Sequence, residues 1–346
     1  MQVNRNIRVI THINNVCFNQ NYELILMTTN LGFEVYTTYP LKNLRKQFLG
    51  HNINLIESYY NTNLIFLTGD FFDDLNEFNK KIVVYDDYKE KIVGKIDNSF
   101  NILNIKVSKE YVIFCDYKYI YTYDFNNLNF LNKYEYFENE FNINFSISVY
   151  SNNYMCILLE SNKISINNLD NNSTNILSTN KNAIQYFNLS KDGKYLATTS
   201  GGDKIKIFDV LNTLLIRILK RGIMSCNIKS INFSINNYKI IICSDLSTVH
   251  IFLNTREYDY KINKPMLNKI AKYFDYDLFN YDFSYNRVNL TNGSKLGCLI
   301  NNKFMIFELS PHCNMYIGNI EDDNCSIDTN QYLILDNYKF IEKNVY

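Results

Sequence analysis

The sequence predicts an all-β protein built as a seven-bladed β-propeller, and three observations carry that prediction. Short runs rich in Ile, Val, Tyr and Phe recur every 8 to 12 residues, the spacing of an all-β chain. A longer period lies above them, marked by an aromatic residue near the end of certain runs. Only 11 Gly and 3 Pro occur in 346 residues, so turn residues say little and the hydrophobic pattern carries the assignment.

In chain order the first runs are INNVCF (13–18), ELILMTT (23–29), GFEVYTT (32–38), NLIFLT (63–68), KIVVYDD (81–87), YVIFCD (111–116) and YIYTYDF (119–125). The markers Tyr36, Tyr85, Tyr123, Phe208, Phe252 and Phe307 lie 38 to 55 residues apart, except for one gap of 85 that KISINNLD (163–170) fills. Seven units of roughly 45 residues, each of four strands, match a WD40-type propeller in size, count and strand grammar. A pair of β-sandwiches would explain the strands but not the longer period. Segment 186–208 is the best-formed unit: YFNLS, a KDG turn, KYLATTS, a GGD turn and KIKIF, with Phe208-Asp209 where a WD repeat has Trp-Asp. In the seventh unit SKLGCLI and NKFMIFEL supply two inner strands, while residues 310–346 show no clear pattern and leave ring closure open. A single domain is expected over residues 1–346.

Composition narrows the function. With 46% hydrophobic and 15% aromatic residues the chain can bury a large core. Its 35 Lys+Arg balance 35 Asp+Glu, so no global field draws it to nucleic acid or to an anionic membrane, and any phosphate recognition is local. Eight cysteines form no CxxC pair and no zinc spacing; they read as reduced, mostly buried thiols, and no metal or cofactor is expected. The start MQVNRNIRVI has no signal-peptide core, and no run of about 18 apolar residues occurs, which predicts a cytoplasmic chain without a membrane span. The 55 asparagines are dispersed rather than packed into one tract. No GxSxG, HExxH or P-loop motif is present, and His12, His51, His250 and His312 are isolated in sequence, so an enzyme is not expected.

One stretch stands apart. In LLIRILKRGIMSCNIKSINFS (214–234), Lys220, Arg221 and Gly222 follow a strand directly, and one blade later comes Ser244-Asp245-Leu246-Ser247-Thr248-Val249-His250. Two adjacent cations at a strand end are by themselves a common solvated loop. A phosphate, however, needs a cation with fork geometry, hydroxyls for its other oxygens and often a His that can charge. Arg221, Ser244, Ser247, Thr248 and His250 supply that set. If His250 charges on contact, binding should weaken as pH rises from about 6 to 8.

This arrangement resembles the PROPPIN family, β-propellers that bind polyphosphoinositides in autophagy and endolysosomal traffic. The family hallmark Phe-Arg-Arg-Gly between the fifth and sixth blades stands here as Leu219-Lys220-Arg221-Gly222. The resemblance extends to LATTSGGDKIKIF before it and SDLSTVHIF after it, and more loosely to GFEVYTTYPLK (32–42) and NKKIVVYDD (79–87). It implies two rim pockets for phosphatidylinositol 3-phosphate or 3,5-bisphosphate, one on each side of the paired cations. The second pocket would use Arg221, Ser244, Ser247, Thr248 and His250. The first, with Ser200, Lys206 and Lys220, would be weaker. There Lys206 and Lys220 replace arginines, Asp203 stands near a lost Thr, and Asn180 replaces a His.

An insertion at about 254–282 in blade 6 exceeds ordinary blade loops of two to six residues. Within it Pro265 fits a helix start, and Met266, Leu267, Ile270, Ala271, Tyr273 and Phe274 share one helical face, opposite Asn268, Lys269 and Lys272. The resemblance implies that this loop enters the bilayer, with Phe283 where the family often has Trp; packing of the helix against the propeller side is the alternative. It also implies phosphoinositide-containing membranes as partners, at preautophagosomal, endosomal or vacuolar sites. An autophagy-type protein partner would dock at the loops of blades two and three, near Gly69-Asp70-Phe71-Phe72-Asp73-Asp74. The competing reading is a WD-repeat interaction scaffold that binds no lipid.

Overall fold

The computed structural model describes residues 11–70, 79–138, 145–179, 182–254, 282–290, 293–300, 302–308, 315–320, 325–327 and 338–340. Among them, seven sheets of four or five strands succeed one another along the chain as the blades of a propeller. The third strands of blades 1 to 7 are Gly32–Thr37, Lys81–Asp86, Tyr119–Asp124, Lys163–Asn168, Lys204–Asp209, Thr248–Leu253 and Lys303–Glu308. Every aromatic marker falls on one of them, and KISINN supplies the fourth. The long period in the sequence is the recurrence of this strand.

Burial explains why the strands read as near-continuous apolar runs. Each blade packs between two others, so its inner strands are covered on both faces: in Lys239–Ser244 every residue after the first is buried. Outer strands face water, as in Lys42–Phe48, where no residue is fully buried. Seven hydrophobic clusters fill the seven blade-to-blade interfaces. At the interface that positions the site, Ile205, Ile207 and Leu219 of blade 5 meet Ile228, Phe233, Ile240, Ile242 and Phe252 of blade 6.

The structure also resolves the ring closure. Met315–Ile320 and Cys325–Ile327 complete blade 7, and Ile13, Val16 and Phe18 of blade 1 pack on its Cys298, Met305 and Phe307. Tyr338–Phe340 then pairs parallel with the first strand of blade 1, Thr11–Phe18, with Thr11 opposite Tyr338. Two of these closing strands are only three residues long, CSI and YKF, too short for a period to show.

Many of the dispersed asparagines have structural work near the axis. Outside blade 1, the first strand of a blade has no strand partner on its inner side, so backbone carbonyls there need other donors. Asn14 Nδ2 donates to Ile53 O at 2.6 Å, Asn188 Nδ2 to Ile231 O at 2.7 Å and Asn232 Nδ2 to Gly297 O at 2.7 Å, each linking one blade to the next. Gln20 Nε2 reaches Ser58 O at 2.7 Å and Val107 O at 2.9 Å.

Candidate functional site

Strand parity decides where each side chain at the edge of blade 5 points, because alternate residues face opposite sides. In Lys204–Asp209, Ile205 and Ile207 join the core shared with blade 6, whereas Phe208 packs toward blade 4. Lys204 and Lys206 therefore face blade 4. Lys206 Nζ donates to Thr179 O at 3.2 Å. In the fourth strand, Leu215–Lys220, Leu219 faces blade 6, so Lys220 faces blade 4, directly across from Lys204 in the ladder. Ser200 is exposed at the end of the second strand, its Oγ 3.5 Å from Asn182 O. Ser200, Lys206 and Lys220 thus lie on one side of blade 5, together with Lys204, which sequence reasoning missed. Burial and then the charge of Lys204 lower the pKa of Lys206, and like charges set opposite each other in a ladder are unfavourable.

Arg221 turns the other way. It is 5% exposed; its Nε donates to Gly202 O and its Nη2 to Met224 O, both at 2.7 Å, while its backbone N–H donates to Asp203 O at 2.9 Å. The guanidinium therefore ties the 200–203 turn to the loop entering blade 6. Gly202 sits at φ +73°, and a Cβ there would lie 2.4 Å from Cys226 O, so the turn requires glycine. Gly222 of the motif has open space around it and no such backbone demand.

On blade 6, Thr248 and His250 share a face of their strand with Phe252, and Ser244 shares one with Ile240 and Ile242; all three of those partners belong to the blade 5–6 core. The structure therefore brings Arg221, Ser244, Thr248 and His250 to one interface. Ser247 is exposed in the turn before them. Ser244 is fully buried, its Oγ accepting from Leu246 N at 3.3 Å. Thr248 Oγ1 donates to Asn289 Oδ1 at 3.3 Å. His250 is 4% exposed, and its buried Nδ1 has no hydrogen-bond partner.

A cation that sequence reasoning missed stands opposite His250. Arg287, in the outer strand Asn286–Asn289, is its register partner; it is exposed and donates from Nε to Ser284 Oγ at 2.9 Å. Burial first, and then the positive charges of Arg221 and Arg287, push the His250 pKa down to about 3. Before any ligand arrives the ring is therefore neutral between pH 6 and 8. Because the folded pKa lies below the unfolded value near 6.5, the unfolded chain takes the proton first, and stability falls as pH drops from about 6.5 toward 3. Between pH 7 and pH 5 the wild type should lose roughly 2 kcal/mol more in urea unfolding than a His250→Phe variant. Equal losses in the two proteins would mean that this ring is not held neutral.

Residues 255–281 lie outside the described residues, and with them Pro265 and the expected insertion residues Met266, Leu267, Ile270 and Phe274. Asn180, His312 and residues 71–74 of the acidic-aromatic segment lie outside them too. Where the chain re-enters, Asp282–Phe283 pairs parallel with Leu219 and Lys220, and Arg217 Nε meets Asp282 Oδ2 at 2.7 Å. The insertion thus returns onto the strand that carries Lys220. Beside Arg221, Ile223 is 93% and Met224 67% exposed, an apolar tip that sequence reasoning did not single out. A larger cavity of about 1130 Å³, between blades 7, 1 and 2, is lined by none of these residues. Among the described residues no helix is long and apolar enough to cross a membrane, and no group of three or more His, Cys, Asp and Glu could hold a metal ion.

Fold and site together define a seven-bladed propeller with a basic edge at blade 5. No protein-family model matches the chain. It is 25% identical over 241 residues to autophagy-related protein 18e of Arabidopsis thaliana, a match covering 68% of this chain and 64% of that protein. It is 26% identical over 267 residues to SVP1-like protein 2 of Pichia angusta, covering 74% of this chain and 73% of that protein. The crystal structure of Hsv2 from Kluyveromyces marxianus superposes with a TM-score of 0.74 at 17% identity, over 94% of this chain and 99% of that one. A complex of KlAtg21 with the coiled-coil of AgAtg16 superposes its propeller equally well, with a TM-score of 0.74 at 16% identity, over 94% of this chain and 100% of that one. These matches make the chain similar to the PROPPIN β-propellers, the Atg18 and SVP1-like proteins.

Proposed function

We propose that this protein is a non-enzymatic phosphoinositide effector of autophagy or related membrane traffic. It docks by the rim of blades 4 to 6 on membranes carrying phosphatidylinositol 3-phosphate or 3,5-bisphosphate. The observation that carries this reading is the gathering of cations around one blade edge of a chain with no net charge: Lys204, Lys206 and Lys220 on the blade 4 side of blade 5, Arg221 and Arg287 at its interface with blade 6. A phosphate monoester meets a guanidinium bidentately and a hydroxyl as donor, and Ser247 and Thr248 stand beside the arginines. The cations of the blade 4 side, beside Ser200, are all ammonium groups, which lack fork geometry, and it is the weaker pocket. Relatives named for autophagy support the process, and a cytoplasmic protein, peripheral on preautophagosomal, endosomal or vacuolar membranes, follows from it. A coiled-coil partner, as in the Atg21 complex, fits the same role, with the loops of blades 2 and 3 as its place.

A specific observation favours a second reading. Arg221 is buried and already engaged with two carbonyls, as it would be in a WD-repeat interaction scaffold that uses the motif only to hold a turn. Vesicle co-sedimentation separates the two. The protein should sediment with phosphatidylinositol 3-phosphate vesicles and not with unphosphorylated phosphatidylinositol, and Arg287→Ala should weaken binding more than Lys206→Ala. Equal sedimentation with both lipids would exclude head-group recognition and leave the scaffold.

A further inference from the structure

The propeller axis holds a second basic site, unrelated to the rim. A cavity of about 230 Å³ opens among the first strands and the loops that follow them, lined by Tyr22 of blade 1, Glu57 of blade 2, Lys106 of blade 3, Lys191 of blade 5 and Lys229 of blade 6. Three lysines and a single glutamate thus line one cavity. That carboxylate is already committed: Lys106 Nζ lies 3.0 Å from Glu57 Oε2, and Gln20 Nε2 is 3.4 Å from its Oε1. Lys191 has no such partner. Its Nζ sits 4.4 Å from the centre of the Tyr22 ring, and burial, with Lys106 adding to it, lowers its pKa to about 8.

A second, independent feature points the same way. Tyr22 is 2% exposed, and its hydroxyl is buried with no hydrogen-bond partner. A buried hydroxyl without a partner loses its hydration for nothing in return, and Tyr22 lines the same cavity as an ammonium group whose one nearby carboxylate, Glu57, is already bonded to Lys106. One oxyanion would satisfy both. Hydrocarbon would satisfy neither, and a cation would be repelled. By volume the cavity holds a tetrahedral anion with a few waters, at about 30 Å³ for each water.

We propose that the central cavity binds a small multivalent oxyanion of the phosphate class, held by Lys191 and the Tyr22 hydroxyl with Lys106 and Lys229 around it. Such a ligand bridges first strands from different blades and braces the ring from its axis. Its source is either free orthophosphate or a small soluble phosphate monoester.

Calorimetric titration of the full chain with inorganic phosphate and, separately, with glycerol 3-phosphate tests this, with chloride holding ionic strength constant. Thermal unfolding is followed alongside. The wild type should bind one equivalent and melt higher in phosphate than in chloride at equal ionic strength. Lys191→Met should lose at least tenfold in affinity, and Tyr22→Phe, which keeps the ring and removes only the hydroxyl, should lose severalfold while melting normally in chloride. Lys220→Thr with Arg221→Thr should leave this binding in place, which separates the axis from the rim. Tighter binding of glycerol 3-phosphate would identify a monoester as the ligand, and tighter binding of phosphate the free ion. No heat with either probe, or equal binding by wild type, Lys191→Met and Tyr22→Phe, would overturn the proposal.

Discussion

Replacing both Lys220 and Arg221 by Thr is expected to cut binding to phosphatidylinositol 3-phosphate vesicles at least tenfold. Charge-assisted hydrogen bonds contribute roughly 1.5–3 kcal/mol each, and every 1.4 kcal/mol is about tenfold in affinity. The two residues serve opposite faces of blade 5, Lys220 beside Lys204 and Arg221 toward His250, so one double substitution removes a cation from both pockets. It also carries a second cost. The Arg221 guanidinium holds Gly202 O and Met224 O, and leaving those carbonyls without it should lower stability by roughly 1.5–3 kcal/mol in urea unfolding. Arg287→Ala separates the two effects. Arg287 is exposed, so its removal should change stability by no more than about 0.5 kcal/mol while still weakening vesicle binding. If Arg287→Ala binds like wild type while the double variant loses binding and stability together, the motif is a turn staple and not a lipid contact. Unchanged binding by the double variant would remove lipid recognition from this edge altogether.

What the sequence revealed and what it hid have physical reasons. The third strand of every blade is covered on both faces and needs bulky apolar residues, so Tyr36, Tyr85, Tyr123, Phe208, Phe252 and Phe307 announce the repeat. Met315–Ile320, interrupted by Gly318 and Asn319, and the three-residue strands after it are too short and polar to do so. Arg221, Ser244, Thr248 and His250 were legible as a set because each lies at a strand end or alternates along one strand. Lys204 and Arg287 were not, since a lone cation at a strand start or in an outer strand reads as solvated; only the ladder register, Lys204 with Lys220 and Arg287 with His250, places them at the site. The state of His250 was hidden for a related reason. Its neutrality comes from burial and from two arginines distant in sequence, which no local pattern records.

The apolar tip beside Arg221 leads to the other large effect. Ile223 and Met224 are 93% and 67% exposed on the loop whose backbone Arg221 fixes, so they are held out at the edge where the cations gather. Head-group contacts at a rim are individually weak, whereas burying a side chain of this size in the acyl boundary adds roughly 1.5–3 kcal/mol. Ile223→Asp with Met224→Asp should therefore lower vesicle binding by a hundredfold or more. Affinity for a soluble inositol 1,3-bisphosphate head group should stay unchanged, because Arg221 contacts the carbonyl of Met224 and not its side chain. The insertion rejoins the chain at the same edge, through Asp282–Phe283 paired to Leu219 and Lys220. Ile270→Asp with Phe274→Asp is accordingly expected to produce the same split between vesicle and head group. The two losses should not add fully if both segments enter one membrane patch. A tip variant that sediments like wild type would show that Ile223 and Met224 meet no lipid, and one that also loses the soluble head group would show that the substitution had disturbed the turn held by Arg221.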